Sequence, residues 1–311
     1  MIEGSAAGRR IMTGGLDGVV LLDKPVGMSS NIALQKVRRL FGVRKAGHTG
    51  SLDPLASGLL PICLGQATRF SGYLLDAAKA YRVTGQLGAR TATGDAEGEV
   101  VEECAWEQLD RDSFSAVLAN FRGHIEQVPP MYSALKQGGE RLYRKARRGE
   151  VVEREPRPVE IQRLELERWA PPAFSLDVRC SKGTYIRTLV EDVARAAGSC
   201  AHVTALRRYA AGPYEEADMH TLAALEAMAA AGHEKLAELV LPSDTALAAL
   251  PVVTLASQDT VRMTRGQVVE LAGGGEPGLV RIYGVGGFLG VGERDPHGHL
   301  RAKRLLGALE A

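Results

Sequence analysis

Apolar residues recur along the chain at two spacings, and these divide it into elements. Gly18-Val19-Val20-Leu21-Leu22 is a continuous apolar run ending in Asp23-Lys24-Pro25, which predicts a buried strand closed by a turn. Ser29 or Ser30 then offers a helix cap, and Ala33, Val37, Leu40 and Phe41 follow at i, i+4, i+7 and i+8. Residues 47–58 contain three glycines and Pro54, which predicts a shaped loop, anchored by a buried strand over Leu59–Leu64. A helix is expected over 66–77, an alternating strand over 79–88, a polar turn over 91–98 and a helix over 113–121. Residues 127–136 are too proline-rich to be regular, and a helix is expected from Gly138 to Arg148. Paired strands are expected at 158–169 and 173–181, joined at Pro171-Pro172. Ile186, Leu189, Val190, Val193, Ala194 and Ala197 mark a helix that Gly198 stops, and a strand follows over 201–209. Residues 220–249 read as Ala/Leu/Glu-rich helices. Beyond Pro251 the glycines become dense between short apolar pieces, which predicts a small β domain.

A length of 311 residues suggests two domains, and 45% hydrophobic with 24% charged residues is ordinary for a soluble protein. No apolar run approaches the ~20 residues of a membrane helix, so no membrane association is expected. Residues 1–17 have no apolar core and read as a disordered lead-in rather than a signal peptide. Cys63, Cys104, Cys180 and Cys200 are widely spaced, with no Cys-x-x-Cys and no histidine at metal spacing, which argues against zinc. Cys63 and Cys180 read as small buried hydrophobes, and a reducing cytoplasmic location is the simplest inference. Net charge is only +1, but basic residues cluster at 36–45 and at 136–148, where Arg141 and Arg148 lie. Such clusters are usually solvated faces; two of them near a candidate active loop favour a polyanionic partner.

The candidate chemistry lies in the glycine-rich loop, which holds His48 and Asp53. Asp53 before Pro54 can simply start a turn, or it can present a carboxylate from a loop held by a rigid strand. Arg187 falls in the first turns of a helix, where the dipole disfavours a cation, so an acidic partner is expected for it. GVGGFLGVG near the C-terminus lacks the spacing and the following helix of a dinucleotide fingerprint.

The stretch GHTGSLDPLASGLLPICLGQATRF resembles the catalytic motif of the TruB family of tRNA pseudouridine synthases, with Asp53 at the family's catalytic aspartate. LLDKPVGMSS, Tyr81 within KAYRV, PPMYSALK, KGTYIR and Leu206 resemble further motifs of that family in order, so the likeness spans nearly the whole chain. Thr91–Gly98 is similar to a Thr/Asp-rich family loop, though Ala92 stands where some relatives carry an acid; Asp95 is left there as an RNA-facing or structural residue.

The resemblance implies an α+β fold, a mixed and mainly antiparallel sheet flanked by helices, over 18–250, with an RNA-gripping insertion at 127–150 and a PUA-like RNA-binding β domain over 251–311. It implies Asp53, Tyr81 and Arg187 as catalytic, with Arg187 pairing Asp53, and Tyr81 and Leu206 on either side of the uracil. Lys24 is expected to support the catalytic loop and His48 to fill the space left by a flipped base. Tyr185, Arg69, Lys182, Arg141 and Arg148 are expected at the RNA. Uridine and pseudouridine are isomers, so no cofactor and no metal are expected. The implied partner is the T-arm of tRNA, bound by a monomer with no guide RNA and no obligatory protein partner. A guide-RNA-dependent synthase, a non-catalytic RNA-binding or tRNA-folding protein and, as an outsider, a small-glycoside hydrolase remain as alternatives.

Overall fold

A computed structural model of the chain describes residues 16–271 and 275–307. The lead-in expected over 1–17 therefore lies outside the described residues, except at its end. There Leu16 packs on the main core, and the Asp17 carboxylate accepts from the Gln66 amide at 2.7 Å.

The larger unit begins with β1 (Gly18–Lys24) and α1 (Ser30–Leu40), which Ser29 caps through the Ile32 amide. Strands β2 (Ala46–His48) and β3 (Ala56–Leu64) follow, then a 3-10 turn and α2 (Ser71–Asp76), and β4 (Lys79–Leu87). A hairpin of β5 (Ala89–Thr91) and β6 (Val100–Glu103) precedes α3 (Arg111–Leu118) and β7 (Gly123–Gln127). The small hairpin β8 (Lys136–Gln137) and β9 (Glu140–Arg141) leads into α4 (Leu142–Arg147). Then come β10 (Arg157–Ala170), β11 (Ala173–Cys180), α5 (Ile186–Ala196) and β12 (Ala201–Ala211). Short strands β13 (Tyr214–Glu215) and β14 (His220–Thr221), with α6 (Leu222–Ala231) and α7 (His233–Ala237), complete the region.

These strands form one sheet in the order β14-β1-β3-β12-β4-β11-β10-β7, with β2 added on β3 and β13 on β12. Neighbours are antiparallel except β1 with β14 and β3 with β12. The fold is α+β with a mixed, mainly antiparallel sheet. Its main core joins the apolar stripes of α1 and α5 to Leu60, Ile62, Val83, Leu176 and Val203 from the central strands. Burial of such side chains is worth roughly 1.5–3 kcal/mol each.

A second core begins at Val253. There β15 (Val252–Thr254), α8 (Ser257–Thr264), β16 (Val269–Glu270), β17 (Gly278–Gly284), β18 (Gly287–Arg294) and β19 (His299–Leu305) build a five-stranded sheet in the order β15-β17-β18-β19-β16. Phe70 packs against Phe288, ring centres 5.5 Å apart and planes tilted by 59°, where this sheet meets the larger unit.

Three local expectations are corrected. The glycine-rich stretch 47–58 is irregular only over 49–55, because His48 pairs with Ile62 and Gly58 with Lys24 in the sheet. The helix expected from Gly138 is cut to α4, because Gly138 and Gly139 take φ of 61° and 84° and turn the β8–β9 hairpin. Cys104 and Cys200 form a disulfide, whereas the sequence suggested reduced cysteines throughout. The hairpin brings them together: the Gly88 amide donates to the Cys200 carbonyl and the Cys104 amide to the Gly88 carbonyl. Cys63 and Cys180 are free and buried.

Candidate active site

The loop 49–55 has its backbone groups claimed from several directions. The Thr49 amide donates to the Pro61 carbonyl, the Ala56 amide to the Asp53 carbonyl and the Gly27 amide to the Pro54 carbonyl. Ser30, in the first turn of α1, accepts from the Leu52 amide at 2.7 Å and donates to its carbonyl at 2.9 Å. The Arg208 guanidinium donates to the Gly50 carbonyl at 3.0 Å. A loop satisfied in this way holds one conformation.

Asp53 is thereby presented to a cavity of about 580 Å³, within the usual size range for a ligand site. Its carboxylate lies 2.9 Å from Arg187 Nε. Arg187 is almost completely buried and uses its other nitrogens on the carbonyls of Thr93 (2.6 Å) and Tyr132 (2.9 Å). Asp95 Oδ2 stands 3.7 Å from Arg187 Nη1, while Asp95 Oδ1 accepts from Thr93 at 2.6 Å. The acid that the dipole argument required is thus a pair, Asp53 and Asp95. Although 43% of the Asp53 side chain is open to the cavity, protein crowds its remaining sides. That desolvation pushes its carboxyl above the ordinary value, and Arg187 opposes the rise.

Tyr81, from β4, and Leu206, from β12, line the same cavity and are nearly buried. Burial pushes the Tyr81 phenol up, with the Arg208 charge opposing. Tyr185 immediately precedes α5 and also lines the cavity, and its backbone is gripped by Gln127, which accepts from the Tyr185 amide (2.7 Å) and donates to its carbonyl (3.0 Å). Lys24 lies beneath the loop, fully buried, donating to the Pro25 and Met28 carbonyls at 2.8 and 2.7 Å. Its burial lowers its pKa to about 8, opposed by Asp53.

The remaining candidates sit elsewhere. His48 is in β2 outside the cavity lining; its Nδ1 is buried without a partner, and burial followed by Arg208 lowers its pKa. Arg69 donates to the Leu305 carbonyl at 2.7 Å, a contact between the two sheets' units. Lys182 pairs with Asp76 at 2.8 Å on the surface. Arg148 is paired with both Glu140 and Glu150 at 2.7 Å. Arg141 is exposed on β9, and the guanidinium groups of Arg144 and Arg141 lower the pKa of the Tyr143 phenol. Tyr143 and Arg147 reach the cavity wall, with the Arg147 guanidinium 5.6 Å from the Tyr143 ring centre. Thr93, Asp95, Lys79 and Arg208 also line the cavity and were not singled out for chemistry from sequence.

Three family models match consecutive parts of the chain. "TruB family pseudouridylate synthase (N terminal domain)" covers 38–186, "tRNA pseudouridylate synthase B C-terminal domain" covers 187–248, and "Pseudouridine synthase II TruB, C-terminal" covers 251–306. The chain belongs to the TruB family of pseudouridine synthases. The tRNA pseudouridine synthase B of Sodalis glossinidius is 50% identical over 297 residues, 94% of this chain and 95% of that protein. The tRNA pseudouridine synthase B of Pseudomonas aeruginosa (strain UCBPP-PA14) is 50% identical over 293 residues, covering 94% and 96%. The crystal structure of a Cbf5-Nop10-Gar1 complex superposes with a TM-score of 0.72 at 25% identity, over 94% of this chain and 85% of that one. As a TruB-family isomerase the protein converts uridine to pseudouridine. That reaction breaks the N1–C1′ bond, turns the base and joins C5 to C1′.

Proposed function

We propose that this TruB-family isomerase is a stand-alone tRNA pseudouridine synthase that modifies the T-arm uridine (position fifty-five by tRNA convention) as a cytoplasmic monomer. The observation that carries the chemistry is the Asp53–Arg187 pair, 2.9 Å apart at a cavity walled by Tyr81 and Leu206. The flipped uracil lies between Tyr81 and Leu206. Asp53 acts at the sugar, where a carboxylate can capture or stabilise an oxocarbenium-like C1′. Arg187 orients it, and Tyr81 takes the C5 proton once C5 is bonded to C1′; N1 gains a proton, so the product is an isomer and no cofactor or metal is consumed.

The tRNA assignment draws support from the relatives' names and from the insertion, where Tyr143 and Arg147 offer stacking and charge at the cavity rim. The domain from Pro251 onward is read as PUA-like and RNA-binding, with Arg301 and Lys303 exposed on β19. His48 is proposed to assist base extrusion.

The test is tritium release from an unmodified tRNA transcript labelled at uracil C5, with the protein alone and no guide RNA. Release of one tritium per tRNA, mapped to the T-arm, is expected. Release only with an added guide RNA or protein partner, or at another site, would contradict the assignment. Sedimentation of the protein checks the monomer.

A further inference from the structure

Arg208 is the most deeply placed cation of the molecule that touches the reaction cavity: it is 1% exposed and lines the cavity wall. A buried guanidinium is costly unless its protons are matched. Here two of them go to main-chain carbonyls. Nε donates to the Leu59 carbonyl at 2.7 Å and Nη2 to the Gly50 carbonyl at 3.0 Å, and the charge of the guanidinium opposes the burial that pushes the Tyr81 phenol up. The sheet register makes this arrangement obligatory. On β12, Arg208 stands directly opposite Tyr81 of β4 on one side and Gly58 of β3 on the other. Gly58 has φ of +99°, and a Cβ there would sit 2.2 Å from the Arg208 carbonyl oxygen. The β3 backbone thus closes on Arg208 as only glycine allows. One side chain therefore joins the start of the catalytic loop, at Gly50, to the strand that follows it, at Leu59, and shares its face of the sheet with the directly paired Tyr81.

We propose that Arg208 is the positioning residue of the C5 proton acceptor: it ties the Tyr81 phenol to the Asp53 loop and holds its oxygen in a cationic setting. The inference rests on the proposed role of Tyr81 as the group that takes the C5 proton. A phenol accepts that proton only after releasing its own, and a guanidinium, always charged, favours the resulting phenolate. The proton balance is simple: Tyr81 O⁻ and the C5–H give Tyr81 OH, which returns its proton to water. The other groups around the phenol do not supply this charge. Cys180, on the neighbouring β11, is itself pushed up to about 11 by burial. Asp53, across the cavity, works against the phenolate. Lys79, on the same strand as Tyr81, is lowered to about 8 by burial, and its Nζ is taken by the carbonyls of Leu74, Leu75 and Ala77.

The experiment measures single-turnover tritium release against pH for the wild type, Arg208→Gln, Arg208→Lys and Tyr81→Phe, each shown to be folded by melting and to bind tRNA. The rising alkaline limb should move upward by at least about one pH unit in Arg208→Gln, so that the rate at pH 7.5 falls by about tenfold or more. Arg208→Lys, which keeps the charge and is the better-tolerated variant if Arg208→Gln does not fold, should show a smaller shift in the same direction. The wild type and the two Arg208 variants are then remade with 3,5-difluorotyrosine at position 81, a more acidic phenol. The gap between wild type and the Arg208 variants should close to within about threefold, a result that a loosened fold would not give. An inactive Tyr81→Phe with Arg208 variants whose pH limb is unmoved, or whose defect fluorotyrosine does not repair, overturns the role of Arg208. A fully active Tyr81→Phe instead removes Tyr81 as proton acceptor, and the proposal falls with that reading.

Discussion

The loop 49–55 and residues 131–148 of the insertion at 127–150 border the same cavity and are built in opposite ways. The loop's polar backbone groups are held by partners from α1, β3 and β12 and from the Pro25–Gly27 turn. The insertion is bonded largely to itself, with Leu142 donating to the Leu135 carbonyl and Tyr143 to the Ser133 carbonyl. A notable outside tie is Arg187 Nη2 on the Tyr132 carbonyl. Its remaining surface is charge: Arg144 and Lys145 join the Arg141–Tyr143–Arg147 group. The difference matches two tasks. A reacting carboxylate must be fixed, since small misplacements cost rate heavily. A surface that grips a flexible RNA loop can adapt, because phosphate charge and base stacking tolerate some change of position.

The comparison breaks most severely if the rigid side is loosened. Gly58→Ala puts a Cβ 2.2 Å from a backbone oxygen at a φ that alanine rarely adopts, so stability should drop by at least ~2 kcal/mol. Urea melts check this, and a variant as stable as the wild type would show that the β3–β12 approach is not tight. On the adaptable side, Arg141→Ala combined with Arg147→Ala should leave saturated turnover within about threefold while weakening binding. The slope of log affinity against log salt should fall by roughly 1.5, from two phosphate contacts. Arg148→Ala should leave that slope nearly unchanged, because Glu140 and Glu150 already engage the guanidinium. Equal slope changes for all three arginines would make the insertion an undifferentiated basic surface.

The smallest effect concerns Lys79. Its folded-state pKa, about 8, lies below the usual lysine value, so between about pH 8 and 10.5 the unfolded chain binds more protons there. This single group therefore adds stability as pH rises through that window. Against Lys79→Met, the relative stability of the wild type should climb from pH 7.5 to 10. A constant difference across that range would mean Lys79 titrates normally.

What was legible in the sequence was local. A cap for α1 at Ser29 or Ser30 could be read from their place before an apolar stripe, and the structure puts it at Ser29; Arg187 needed an acid because of its turn of α5. Asp53 stood out through its loop, and its motif tied it to Arg187. What was hidden depends on register between distant strands. Arg208 falls within the strand expected over 201–209, and only the place of β12 between β3 and β4 sets it at the cavity. Asp95 lay in a polar turn whose position is set by a bridge to Val203, and the Cys104–Cys200 pairing depends on where that hairpin folds back. His48 was grouped with the catalytic loop by proximity in sequence, yet strand pairing with Ile62 takes it out of the cavity lining. Helix α8 went unread because glycine-rich apolar pieces dominate its surroundings.

The central claim is that a fixed carboxylate, held by one buried arginine, carries the chemistry while RNA affinity comes from elsewhere. Asp53→Asn and Arg187→Met, alone and together, test it through single-turnover tritium release and tRNA binding on folded protein. Asp53→Asn should lower the rate by at least about 10⁴-fold, or ~5.5 kcal/mol, with binding within about threefold of wild type. Its neutral-pH stability should be unchanged or higher, since a carboxyl with a raised pKa is better tolerated uncharged in the folded state. Arg187→Met should also be severe, and the double variant should be little slower than Asp53→Asn, because groups acting as one unit are not additive. An Asp53→Asn protein that releases tritium at near the wild-type rate would contradict the account.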